Sequence, residues 1–119
     1  APLGSQAVVE GLLTPLAIKQ NECYQAAVDF ARTEGIIIAP ETSHAVAAVI
    51  REAKQARDEG KEKTIIFNMS GHGLMDLSGY DAFFQGKLTD YELPDEEMQK
   101  SLAPLEGLPR PPANKSGKW

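Results

Sequence analysis

Four polar residues sit where side chains could do chemistry: Glu41, His44, Ser70 and His72. Glu41 follows Pro40, whose ring pushes the preceding Ala39 away from helical angles, so a carboxylate is aimed off a rigid bend at a helix start. A carboxylate in that place is also favoured by the positive end of the helix dipole, with no function attached. Glu41 and His44 have Glu-x-x-His spacing, which sets both on one helix face. Carboxylate-bridged di-metal sites use that spacing, but they need two such motifs and further glutamates on facing helices. With one motif and two histidines in the whole chain, no metal site is expected, and His44 reads as a first-turn residue hydrogen-bonded locally. Ser70, His72 and Asp76 could suggest a hydrolase triad. A nucleophile elbow, however, needs Gly two residues before the serine, where Asn68 stands. Gly71 and Gly73 could admit backbone amides to a phosphate, though two glycines equally make a simple turn. What remains for Ser70 is a neutral hydroxyl that can donate to an unprotonated ring nitrogen without supplying charge.

The elements that must position these residues are legible in the apolar pattern. A short helical stretch over 3–13 is weakened by Gly4 and Gly11, and an extended piece follows over 15–19. Cys23, Ala26, Ala27, Phe30 and Ala31 recur at one helix face, with Asn21 as N-cap and Gly35 as stop. Ile36, Ile37, Ile38 and Ala39 form an apolar extended run before Pro40. The spacing predicts a second helix over about 43–59, capped by Thr42 or Ser43 and ended by Gly60, with an inner stripe of Ala45, Ala48, Val49, Ala53 and Ala56. Thr64, Ile65, Ile66, Phe67, Asn68 and Met69 lack clean alternation, which predicts a strand buried on both faces. It ends in Ser70-Gly71-His72-Gly73, and a third helix runs from near Asp76 through Tyr80, Phe83 and Phe84 to Gly86. Strand, glycine turn and helix predict an α/β architecture, a partial parallel sheet flanked by helices. Ligands in such sheets bind at the carboxyl ends of strands, where Ser70 lies.

Composition sets the outer bounds. The chain has 119 residues, enough for one domain, with 42% hydrophobic and 24% charged residues. A formal net charge of −5 disfavours nucleic-acid binding, which needs a basic surface. No window reaches the ~20 apolar residues that span a bilayer, so no membrane partner is expected. The single cysteine, Cys23, rules out an internal disulfide and a cysteine-rich zinc module. Prolines at 94, 104, 109, 111 and 112 mark a different C-terminal stretch, and from about Leu105 the chain reads as a disordered tail.

Three ordered motifs carry a resemblance. Arg32-Thr33-Glu34-Gly35-Ile36-Ile37, Ala39-Pro40-Glu41-Thr42-Ser43-His44-Ala45 and Phe67-Asn68-Met69-Ser70-Gly71-His72-Gly73 resemble the C-terminal part of the tryptophan synthase β chain. The closer likeness is to its second branch, which carries Ser-Gly-His-Gly, where the commoner branch has Arg in place of His72. Ala1-Pro2-Leu3 also resembles the segment upstream of these motifs. The resemblance covers residues 1–88, which would be a C-terminal portion of a β-chain-like enzyme domain. Residues 89–119 would be a C-terminal extension, partly disordered.

The resemblance implies a portion of a fold-type II pyridoxal-phosphate (PLP) enzyme, a cytoplasmic lyase of aromatic amino-acid biosynthesis. That enzyme joins L-serine and indole to give L-tryptophan by β-replacement. By motif matching Ser70 would hydrogen-bond the pyridine nitrogen, Gly71 would line the same wall, and Glu41 would lie beside the ring and substrate as the catalytic carboxylate. The family's Schiff-base lysine stands in a His-Lys dipeptide and its phosphate cup is a Gly-Gly-Gly-Ser-Asn run. Neither occurs in this chain. The chain is therefore expected to be a C-terminal fragment or one half of a split enzyme, inactive alone. Its implied partners are the remainder of the β chain, a second copy in a homodimer when complete, and the tryptophan synthase α subunit, whose coupling is put in question by His72. The rival reading is a small non-catalytic interaction module derived from that fold.

Overall fold

A computed structural model of the chain describes residues 2–109. The contacts of these residues gather into two units, one formed by Ile18–Asp90 and the other by residues 2–17 with 91–109. Five helices run through the described residues: α1 (Pro2–Val9), α2 (Gln20–Glu34), α3 (Pro40–Asp58), α4 (Leu77–Phe84) and α5 (Asp95–Leu102). A single 3-10 turn, Ala103–Leu105, follows α5.

The core lies in the Ile18–Asp90 unit, where α2 packs along α3 and α4 closes one side. Its buried apolar residues are Cys23, Ala26, Ala27 and Val28 from α2, Val46, Ala47 and Ala56 from α3, Tyr80 from α4, and Ile38 between α2 and α3. The alanines let the two helix backbones approach closely, so a small unit can exclude water with little side-chain volume. Tyr24 stacks on Phe83 at 5.7 Å and meets Tyr80 edge-on at 5.2 Å, and these ring contacts join α2 to α4. Gly35, at φ 72°, ends α2 in the left-handed conformation that glycine adopts without strain.

Two helix starts differ from the sequence expectation. α2 begins at Gln20, and Asn21 is not its N-cap. The orphan Asn21 N–H donates instead to the Asp90 carboxylate at 3.0 Å, while the Asn21 and Gln20 side-chain amides donate to the Leu88 and Thr89 carbonyls. A distant carboxylate supplies the cap. α3 begins three residues early, with Pro40 in its first turn and Ala39 as N-cap. Proline lacks only an N–H that would be unsatisfied there anyway, and its fixed φ suits a first helical position. Thr42 and Ser43 are consequently not caps but buried first-turn residues, 2% and 1% exposed. The buried face of α3 is Thr42, Ser43, Val46, Ala47 and Ala56, whereas Ala45, Ala48 and Val49 are only half-buried and Ala53 is exposed.

The partial parallel sheet is not formed among the described residues. The runs over 36–39 and 64–69 are non-helical, but no ladder joins them: the isolated antiparallel bridge pairs Ile38 with His72, in the turn that follows the second run. A ladder needs several residues side by side. Here Pro40 turns the first run into a helix two residues after Ile38, and Gly71 and Gly73 turn the second. The 64–69 run also has no covering layer on both faces, since Ile66 is 89% exposed. Its lack of alternation follows from apolar composition, not from burial on both sides.

α5 was not anticipated. Pro94 precedes it, Asp95, Glu96 and Glu97 fill its first turn and Lys100 its last, an arrangement that complements the helix dipole at both ends. Of the tail expected from Leu105, residues 110–119 lie outside the described residues, and Leu105 itself closes the 3-10 turn.

Candidate functional site

The first turn of α3 and the turn over 70–73 are held together by backbone bonds. The Ala39 N–H donates to the Gly71 carbonyl at 3.0 Å, and the Gly73 N–H donates to the Ile37 carbonyl at 2.9 Å. A Cβ on Gly73 would lie 2.3 Å from the Ile38 carbonyl oxygen, so only glycine allows this approach. The pairing brings Ser70 beside the start of α3, and the Ser70 hydroxyl lies 3.0 Å from that of Thr42. Thr42 is buried, and Ser70 is exposed.

Glu41, the second residue of α3, is exposed with its charge near the positive helix end. Glu41 and Ser70 thus flank one residue: Thr42 is the sequence neighbour of the first and the hydrogen-bond partner of the second. Glu41 borders a shallow cavity of about 190 Å³ together with Gln20, Cys23, Tyr24, Pro40, Ser43 and His44, and Ser70 is not among its walls. Burial pushes the Tyr24 hydroxyl above its ordinary value of 10.0, and the carboxylates of Asp76 and Glu41 push it the same way.

His44 is not satisfied locally. Its Nδ1 lies 3.2 Å from the Cys23 sulfur on α2. His72 is exposed, and its Nδ1 accepts from the Leu74 N–H at 3.4 Å. Ser70 and His72 therefore bond elsewhere rather than to each other. Among the described residues no group of three His, Cys, Asp or Glu side chains is arranged to hold a metal ion. No helix of the described residues is long and apolar enough to cross a membrane.

Sequence reasoning passed over Thr42 as a cap, and it missed the Cys23–His44 contact. The signal for the first lay in Pro40. Once proline occupies the first helical position, Thr42 moves into the first turn, beside the residue that should face a ligand.

What this arrangement offers is an exposed neutral hydroxyl bonded to a buried one, at a turn built of small residues. No family model matches the chain. Among curated proteins, the tryptophan synthase beta chain 2 of Pyrococcus abyssi is 54% identical over 92 residues, 77% of this chain and 21% of the relative. The tryptophan synthase beta chain of Pyrococcus horikoshii is 47% identical over 112 residues, 94% of this chain and 23% of the relative. The beta chain 2 of Aquifex aeolicus is 51% identical over 90 residues, 76% of this chain and 21% of the relative. This chain carries a segment of the tryptophan synthase beta-chain family. It spans about a fifth of the length of the curated relatives it matches.

Proposed function

We propose that this segment forms one wall of the cofactor site in a PLP-dependent lyase that makes L-tryptophan from L-serine and indole. The observation that carries the reading is the Ser70 hydroxyl, exposed at the turn and fixed by Thr42, in a chain 54% identical to a tryptophan synthase beta chain 2. The residues present suit a flat pyridine ring. Ser70 offers a single neutral donor, and Gly71 keeps the wall shallow, since a Cβ there would press to 3.3 Å from the Ala39 Cβ.

Pyridoxal phosphate supplies an electron sink for bond breaking at the amino-acid substrate. In this reading Ser70 donates a hydrogen bond to the ring nitrogen and leaves it uncharged, whereas a carboxylate would keep it protonated and strengthen the sink. By leaving that nitrogen uncharged, Ser70 would favour β-replacement over transamination. Gly71 lines the same wall. Glu41 serves as the catalytic carboxylate, holding a proton or offsetting positive charge that develops on indole.

Residues 1–88 form the family-like segment, a length in keeping with the 90- and 92-residue alignments. Residues 89–119 form an extension that the 112-residue alignment enters. Ile66 and Met75, each 89% exposed, support packing against the remainder of a beta chain that carries the Schiff-base lysine and phosphate cup. The complete enzyme would be a cytoplasmic homodimer, with His72 in place of Arg speaking against the usual coupling to an α subunit.

The test is Ser70→Asp in a complete beta chain carrying this segment. Product ratios should move away from tryptophan and toward transamination, and unchanged ratios would remove the ring-nitrogen role. The chain by itself should form no tryptophan from serine and indole, and turnover by the purified chain would refute the one-wall reading.

A further inference from the structure

We propose that Thr42 is a positioning residue for Ser70: its buried hydroxyl donates to Ser70 Oγ and so turns the Ser70 proton outward. This rests on the reading that Ser70 meets the cofactor ring nitrogen. Each hydroxyl brings one proton and two lone pairs, so the 3.0 Å contact can run in either direction. The two directions have opposite consequences. If Ser70 donated inward, its exposed side would present lone pairs alone, which repel an unprotonated ring nitrogen. If Thr42 donates, Ser70 keeps its proton for the open side.

The surroundings favour the second direction. Thr42 is 2% exposed, and its only side-chain partner among the described residues is Ser70. The alternative acceptors for a first-turn threonine are the carbonyls three and four residues back. Among the described residues the Thr42 hydroxyl makes no such bond; the Ile38 carbonyl takes the Tyr80 hydroxyl proton at 2.6 Å, and the Thr42 proton is left to Ser70. Thr42 also follows Glu41 directly, so one turn of helix fixes both the carboxylate and the support of the hydroxyl.

The experiment uses a complete beta chain carrying this segment, loaded with pyridoxal phosphate. Its readouts are the absorbance bands of the bound cofactor without substrate and cofactor retention on dialysis. Thr42→Val keeps the side-chain shape and removes the proton. Its bands should move in the same sense as those of Ser70→Ala, and retention should weaken roughly threefold to tenfold, the worth of one neutral hydrogen bond. Thr42→Ser should restore the parent spectrum. In the Ser70→Ala background, Thr42→Val should add nothing. A parent-like spectrum for Thr42→Val beside a shifted Ser70→Ala overturns the role of Thr42 and leaves that of Ser70 standing. An unshifted Ser70→Ala overturns both. Should Thr42→Val lose helix signal in circular dichroism, Thr42→Ala removes the same proton without placing a methyl against Ser70, and the same comparisons apply.

Discussion

The Tyr80 hydroxyl donates to the Ile38 backbone carbonyl at 2.6 Å, with both residues inside the core. Ile38 bridges to His72 and stands two residues before Pro40, so this one bond ties α4 to the segment that sets the start of α3. It acts beside the backbone bonds that join Ala39 to Gly71 and Ile37 to Gly73. Burial pushes the Tyr80 hydroxyl above 10.0, and Tyr24 and Asp76 add to the shift, which keeps the donor protonated.

Tyr80→Phe keeps the ring and leaves the Ile38 carbonyl buried without that donor. The chain should lose about 1–3 kcal/mol, the cost of an unsatisfied buried group. Urea denaturation reads this as a lower midpoint with an unchanged slope. An unmoved midpoint would mean that water replaces the phenol.

Gly73→Ala should cost more than Gly86→Ala. At Gly73 the new Cβ meets the Ile38 carbonyl oxygen at 2.3 Å, and that backbone cannot swing aside as a side chain would. Overpacking of this kind costs about 1–3 kcal/mol or more. Gly86 has φ +65° and nothing within 4 Å, so alanine there meets only the left-handed backbone penalty of about 1–2 kcal/mol. Denaturation midpoints of the two variants give the order, and the reverse order would refute the close approach of the 70–73 turn.

Cys23 should be a slow thiol. It is 2% exposed, and burial pushes its pKa above 9.0, with the nearby Glu22 charge adding to the rise against a hydrogen bond from Ser43. The folded state therefore favours the protonated thiol. Its contribution to stability is fully present below the unfolded value and is lost as pH rises through the folded one. Iodoacetamide should modify the folded chain far more slowly than the urea-unfolded chain. Stability should also fall as the pH rises past 9.0, less steeply in Cys23→Ala. Equal alkylation rates would contradict a closed α2–α3 interface.

The sequence by itself determined the helices whose signals are local. Gly35 and the spacing of Cys23, Ala26 and Ala27 mark α2 without reference to anything distant. Asp76 and Gly86 bracket α4 in the same way. The family was legible too, because its motifs are contiguous residue strings. Tertiary structure alone decided three things. Whether an apolar run becomes a strand depends on neighbours that supply hydrogen-bond partners, and the 64–69 run finds no ladder, the isolated bridge falling at His72 beyond its end. The N-terminal partner of α2 is Asp90, about seventy residues away, which no local pattern encodes. The support of Ser70 by Thr42 exists only because Pro40 starts α3 and the bond between Gly71 and Ala39 draws the two turns together. Spacing along a chain fixes which face a residue occupies. Which hydroxyl lies behind another is fixed by backbone contacts between segments that the order of residues does not join.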